Sequence, residues 1–277
     1  MKVLVVGAGR MGAQIGVEYL LGGHEVVFCA RDVDAAAVRV RDALDLAARL
    51  GATSEPAWMV TDGLAADADL VVESLPEDLA LKASLLTPVA GVSPAAIVAT
   101  NTSSLPITVL GEAIGAPERT IGTHYWNPPL LMPLVEVIPG EATSPAVVER
   151  ICAALTALGK QVVVVKRDVP GFIWNRLQLA LMREALWLAE NGVADPGTID
   201  VVVRDGLARR WRHVGPFAAA ALGGIDTWRQ IGENLLPELS RAQDLAGLEA
   251  FLDTDPGELR RLRDERDEAL ARELRSQ

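Results

Sequence analysis

The sequence predicts an α/β protein in which a doubly wound parallel sheet, residues 1–166, precedes an all-α domain, residues 167–277. Three observations predict it. Strand-like apolar runs alternate with helical stretches of about ten to seventeen residues through the first domain, the pattern of a parallel sheet with helices on both faces. Strand signals nearly vanish after Val165. Near Lys166 to Pro170 the segment DVPG interrupts the pattern, and a long amphipathic stretch, Phe172 to Glu190, follows.

The chain opens with MKVLVVGAGRMGAQIG. A strand at Val3 to Val6 runs straight into Gly7, Gly9 and Gly12, and a helical pattern begins with Arg10 and Met11. Gly7 allows a tight turn, Gly9 lets the backbone approach a phosphate, and Gly12 lets the helix pack closely with its positive N-terminal end toward the anion. This is the Rossmann arrangement for a dinucleotide pyrophosphate, and it places Arg10 and Met11 with the glycines against the cofactor. The second strand, Val26 to Cys29, ends at Ala30, Arg31 and Asp32, and a helix over Asp34 to Leu50 follows. Strands at Leu70 to Glu73 and Ile97 to Thr100 lead to Glu77 and Lys82 and to Asn101 and Ser103, respectively. Thr120 to His124 and Leu134 to Ile138 flank a turn of Asn127, Pro128 and Pro129, so the second run returns beside the first. Gln161 to Val165 extends the sheet. Ligands bind beyond the carboxyl ends of parallel strands, so Gly7 to Gly12, Glu77, Asn101 to Ser103 and His124 to Asn127 are expected along one edge.

Within GTHYWNPPLLMPLVEVI the returning run brings a lone glutamate, Glu136, to a lone histidine, His124, twelve residues earlier. A carboxylate beside an imidazole fixes its tautomer and raises its affinity for a proton, which is what removing a proton from a hydroxyl requires. Taken alone, a histidine at a strand end reads equally well as a packed, hydrogen-bonded residue.

Together with ATNTSSLPIT (Ala99 to Thr108) and DVPGFIWNRL (Asp168 to Leu177), these motifs resemble the 3-hydroxyacyl-CoA dehydrogenase family from Met1 to about Gly224. The resemblance implies an oxidoreductase that uses NAD or NADP to interconvert a 3-hydroxyacyl compound and its 3-keto form. In that reading His124 takes the hydroxyl proton, Glu136 steadies the imidazolium, and Ser103 and Asn175 donate to the substrate oxygen. Asn127 falls on the asparagine of the family's HxxNP motif, and Glu77, Lys82 and Asn101 fall on cofactor-facing positions. Plainer readings stand beside these: Ser103 and Asn101 as caps of the next helix, Asn175 as a surface residue, Glu77 and Lys82 as exposed helix charges. A non-catalytic redox sensor of the same fold would keep the glycines and lose the catalytic groups, yet Ser103, His124, Glu136 and Asn175 are all present. A lysine-based hydroxy-acid dehydrogenase is disfavoured, since no lysine lies near Asn175.

The chain departs from the family at the end of the second strand, where the ribose-binding aspartate would align with Ala30. Ala30 followed by Arg31 removes repulsion of a 2′-phosphate and offers it a guanidinium, so NADP(H) is expected over NAD(H). The competing reading has Asp32 hold an unphosphorylated ribose while Arg31 stacks on adenine. The next helix also lacks the lysine-bearing extension with which CoA-specific members hold their substrate, and no lysine occurs between Lys2 and Lys82. Arg209, Arg210 and Arg212 crowd the segment before GP, which looks more like relatives that oxidise free hydroxy acids or hydroxymethyl aromatic acids. Trp126, Trp174 and Trp211 either line an aromatic pocket or fill the domain interface.

Composition fits a compact two-domain enzyme of 277 residues, 50% hydrophobic, with no apolar run near the roughly eighteen residues that span a membrane. A net charge of −11 opposes nucleic acid and anionic lipid as partners. Cys29 and Cys152 lack Cys-x-x-Cys spacing and no signal peptide is evident, so a reducing cytoplasm is expected. His24, His124 and His213 lack metal-ligand spacing, so no metal is expected. The apolar helix Leu177 to Glu190 is expected to bury a face in a homodimer, and the charged tail Pro256 to Gln277 to form a solvated helix.

Overall fold

A computed structural model of the chain describes residues 1–54, 56–64, 67–252 and 255–275. From the N-terminus it runs through β1 (Lys2–Val6), α1 (Arg10–Leu21), β2 (Glu25–Cys29), α2 (Val33–Arg49), β3 (Met59–Thr61), β4 (Leu70–Glu73) and α3 (Leu79–Val92). It continues through β5 (Ile97–Thr100), α4 (Ile107–Ala113), β6 (Thr120–Tyr125), β7 (Leu134–Pro139), α5 (Pro145–Ala157) and β8 (Gln161–Val164). The strands form one sheet in the order β3-β2-β1-β4-β5-β6-β7-β8. Neighbours are parallel except β6 and β7, which run antiparallel as their intervening turn requires.

The two faces of the sheet explain why its strands read as unbroken apolar runs. Val3 and Val5 join a core with Ile15 of α1, Val40 of α2 and Leu155 of α5, while Leu4 and Val6 join a second core with Leu86 of α3 and Leu110 of α4. Successive side chains of β1 therefore enter opposite layers, and both layers are dry. Carboxylate or hydroxyl caps start the flanking helices: Asp32 accepts from Ala35 N–H, Asp78 from Leu81 N–H and Ser144 from Val147 N–H. The short β3 is absent from the runs read in the sequence; three residues alongside β2 give too little periodicity to register.

Two compact units emerge: Met1–Ile173 together with the chain from Arg260 onward, and Trp174–Leu259. The sequence reading divides the chain at residue 166 and leaves the tail with the helical domain. DVPGF stays with the sheet because Val165 and Phe172 pack on Ile107 and Ile138, and Thr108 donates to Asp168 from both its N–H and its hydroxyl. The second unit comprises α6 (Trp174–Glu190), α7 (Pro196–Val201), a π-helical stretch (Val202–Ala208) running into α8 (Arg209–Trp211), α9 (Pro216–Gly223) and α10 (Ile225–Leu235). Helix α11 (Pro256–Arg275) leads out of it, buries Ala271, and lets Arg275 donate to the Arg49 carbonyl at the end of α2. The tail is thus helical and mostly solvated, but its far end belongs to the sheet unit. Among the described residues no helix is long and apolar enough to cross a membrane.

Candidate active site

The glycine loop is built for a ligand's phosphates. Gly7 has φ +96°, and a Cβ there would meet the Ser74 carbonyl at 2.7 Å; a Cβ on Gly12 would lie 2.1 Å from the Gly7 carbonyl. Protein atoms therefore demand glycine at both positions. Gly9 is different, because a Cβ there would meet nothing within 4 Å. It caps α1 without a side-chain bond, so no side chain occupies the N–H groups at the head of the helix, and no acidic residue stands in the first turn. That is a cradle for an anion, and it fits the pyrophosphate of a nicotinamide dinucleotide. Arg10 is exposed at its lip, while Met11 is half-buried and packs on the core. At the end of β2, Ala30 is half-buried and Arg31 exposed, and Asp32 commits one carboxylate oxygen to the α2 cap at 2.9 Å.

Across the antiparallel pair β6–β7, His124 and Glu136 are direct register partners, so their side chains share one face. Both are nearly fully buried, and His124 Nδ1 lies 2.7 Å from Glu136 Oε2. An ionised carboxylate only accepts, so Nδ1 carries the proton and Nε2 keeps its lone pair. The other carboxylate oxygen accepts the Ile173 N–H at 3.0 Å. Phe172 presses its ring on the imidazole, centroids 5.4 Å apart at 62°, from a left-handed backbone conformation with φ 49°. The packed histidine of the plainer reading and the oriented base are here the same residue.

A second buried network, unread in the sequence, organises the neighbouring strand ends. Glu73, the fully buried last residue of β4, accepts from Lys82 Nζ at 2.6 Å, Leu75 N–H at 2.5 Å and Thr100 Oγ1 at 2.5 Å. Lys82 also donates to the Leu75 carbonyl and lies 3.6 Å from Glu77. Glu77 in turn accepts the Thr102 hydroxyl at 2.8 Å and the Ser103 N–H at 2.5 Å. Lys82 is only 1% exposed and Glu77 precedes α3, which removes the reading of the two as exposed helix charges. The capping role for Asn101 and Ser103 fails as well, because α4 begins at Ile107 after Pro106. Asn101 braces the site instead: its Oδ1 accepts Tyr125 N–H at 2.9 Å, and its amide reaches Ser74 Oγ at 3.3 Å. The residue after His124 is thereby tied to the ends of β4 and β5.

Gly7, Glu77, Asn101 to Ser103 and His124 thus gather at the carboxyl ends of β1, β4, β5 and β6, and exposed Asn127 follows β6 in the turn. Asn175 stands second in α6, half-buried within the helical unit. The signal that could have revealed Glu73 is its type: a carboxylate closing an otherwise apolar strand, LVVE, with a lysine on the following helix.

Comparisons place these features among known proteins. Profiles described as "3-hydroxyacyl-CoA dehydrogenase, NAD binding domain" and "3-hydroxyacyl-CoA dehydrogenase, C-terminal domain" match residues 2–169 and 171–252. Among similar proteins, the 5-formyl-3-hydroxy-2-methylpyridine 4-carboxylate 5-dehydrogenase of Mesorhizobium japonicum is 37% identical over 258 residues, covering 88% of this chain and 83% of that one. An L-carnitine dehydrogenase of Streptomyces griseus is 38% identical over 234 residues (80% and 70%). A probable 3-hydroxybutyryl-CoA dehydrogenase of Bacillus subtilis is 34% identical over 247 residues (84% and 85%). A crystal structure of a pyridine-carboxylate dehydrogenase of the same name, described as "an NAD+ dependent dismutase", superposes with TM-score 0.89 at 32% identity, covering 98% of this chain and 96% of that one.

The Glu73–Lys82 pair yields a stability prediction. Glu73→Gln leaves the buried Lys82 ammonium with only the more distant Glu77 carboxylate at 3.6 Å and is expected to cost about 3 kcal/mol, whereas Glu73→Gln with Lys82→Met recovers most of that loss. Denaturant midpoints of the two variants against wild type check it.

Proposed function

The chain belongs to the 3-hydroxyacyl-CoA dehydrogenase family, and from that premise we propose that it is a nicotinamide-dependent dehydrogenase of a free hydroxy acid, interconverting the alcohol and its carbonyl form. The observation that carries the reading is the buried His124–Glu136 pair, standing at the same strand-end edge as the open glycine loop. When bound there, the nicotinamide supplies the hydride acceptor. His124 accepts the hydroxyl proton at Nε2, and Glu136 holds the ring and offsets the imidazolium charge. Ser103 and Asn175 are the donors proposed for the developing alkoxide, each contributing about 2.7–4 kcal/mol by analogy with oxyanion-hole donors. In the reducing direction the same groups act in reverse.

A free acid is favoured over a CoA thioester by two observations. The pyridine-carboxylate dehydrogenase structure superposes at TM-score 0.89, whereas 3-hydroxybutyryl-CoA dehydrogenase structures from Escherichia coli and Ralstonia eutropha give 0.67. No lysine stands between Lys2 and Lys82. The family profile supports NAD(H). We infer further that NADP(H) is preferred, because Arg31 is exposed with no ion pair among the described residues and Asp32 is engaged in capping α2. In this the chain would differ from the pyridine-carboxylate dehydrogenase described as NAD+ dependent. We further propose a reducing cytoplasm as its location, with a small molecule rather than nucleic acid or a membrane as its partner, a reading supported by two unpaired cysteines and a net charge of −11.

We also propose a homodimer. Of the described residues of Trp174–Leu259 only Leu186, Ile199 and Ser240 are buried, while Phe217 is 90% and Leu222 78% exposed. A helical unit this poor in core and this apolar outside is covered by a second copy.

One kinetic panel tests substrate and cofactor together: kcat/KM for acetoacetyl-CoA and for free aliphatic and aromatic hydroxy acids, with NAD(H) and NADP(H), in wild type and Arg31→Ala. Free acids are expected to exceed the thioester by about tenfold or more, a single charged hydrogen bond being worth that factor. Arg31→Ala should lower use of NADP(H) selectively; faster thioester turnover, or unchanged NADP(H) use, contradicts the respective inference. Light scattering of the purified protein should return twice the 29.5 kDa chain mass, and a monomer at micromolar concentration refutes the dimer.

A further inference from the structure

Helix α11 lies beyond residue 252, where the second profile match ends, so its contribution is an addition to the matched domains. It carries Arg263 and Arg266 one turn apart, on one face of the helix. Both line a recess of about 230 Å³ in the sheet unit, together with Arg10 at the head of α1 and Arg39 on α2. Asp42 and Asp267 are the acidic residues of the lining, so it carries four arginines against two aspartates in a chain whose net charge is −11. Arg266 is already held by Asp267 at 2.6 Å. Arg10, Arg39 and Arg263 have no carboxylate within 4 Å among the described residues, and three cations held together unpaired repel one another until an anion joins them.

We propose that this recess is an anion site for a phosphoryl group, with α11 supplying half of its guanidinium lining. The four arginines come from three helices, α1, α2 and α11, and several guanidinium groups around one recess suit a tetrahedral anion with several acceptor oxygens better than a planar carboxylate. Arg10 directly follows Gly9, whose open side faces the cradle described above, so the recess borders the phosphate end of the cofactor site. Two sources share this chemistry: a free phosphate or pyrophosphate, and the pyrophosphate of the dinucleotide itself.

Calorimetric titration of inorganic phosphate and of pyrophosphate into the full-length protein, at ionic strength fixed with chloride, tests the site. It is run on wild type, Arg263→Ala with Arg266→Ala, and Arg39→Ala, each with and without saturating NADH, and the NADH dissociation constant is measured in parallel. Saturable binding to wild type is expected, weakened about tenfold or more in both variants, since each charged hydrogen bond removed is worth at least that factor. If NADH abolishes anion binding and the α11 variant weakens NADH equally, the phosphoryl group is the dinucleotide's own; if phosphate binds beside NADH, it is a separate anion. Circular dichroism of these exposed-residue variants separates lost binding from lost fold. No saturable anion binding to wild type together with an unchanged NADH dissociation constant in the α11 variant overturns the proposal, as does wild-type anion affinity in both variants. The inorganic-anion arm does not depend on which substrate the enzyme oxidises.

Discussion

The antiparallel return of β7 along β6 is the constraint from which the site follows. Every other strand neighbour in the sheet is parallel, and only this reversal sets a residue of one strand directly opposite a residue twelve positions later in the chain. At that register point stand an imidazole and a carboxylate, both buried, so each satisfies the polar group that the other leaves in a dry interior. Separating them would take from each buried group its charged partner, although the carboxylate would still accept the Ile173 N–H, and would free the imidazole to adopt either tautomer. The pair proposed for catalysis is therefore also a structural one.

Neighbouring features serve to hold that pair still. Phe172 accepts a left-handed backbone, a conformation costing about 1–3 kcal/mol for a non-glycine residue, while its ring stays 1% exposed against His124. The burial of an aromatic side chain offsets a cost of that size. On the other flank Asn101 fastens Tyr125, and the Glu73–Lys82 pair fixes the loop that carries Ser103 by way of Glu77. Charge inside the edge is balanced locally: Lys82 stands between two carboxylates, and Glu136 stands against the ring of His124. Rigid placement of this kind, established before substrate arrives, is what makes hydrogen-bond donors and bases effective in a low-dielectric site.

Much of this could be read from residue order alone, for identifiable reasons. Apolar runs such as Val3–Val6 and Ile97–Thr100 are buried on both faces and so carry a strong signal, and the Asn-Pro-Pro turn implies the reversal that pairs His124 with Glu136. The roles of Gly7 and Gly12 were visible because backbone geometry leaves no alternative. What escaped depends on tertiary contact. A three-residue strand such as Met59–Thr61 has no period to detect, and Glu73 looks like any strand-end acid until the fold encloses it. Asn101 shows the same limit, since its type suggests a cap or a ligand contact while its hydrogen bonds make it a brace between strands. The tail's charge pattern gives the helix but not its return to the sheet unit, which rests on a small buried face including Ala271.

The proposed chemistry depends on one proton on one ring. With three histidines in the chain, ¹⁵N-histidine NMR can resolve His124, assigned by its loss in His124→Asn, and report which ring nitrogen is protonated in the neutral form. The Nδ1–H tautomer is expected in wild type, with Nε2 unprotonated, and a shift toward the Nε2–H form in Glu136→Ala. An Nε2–H tautomer in wild type, unaltered by removal of Glu136, would contradict it.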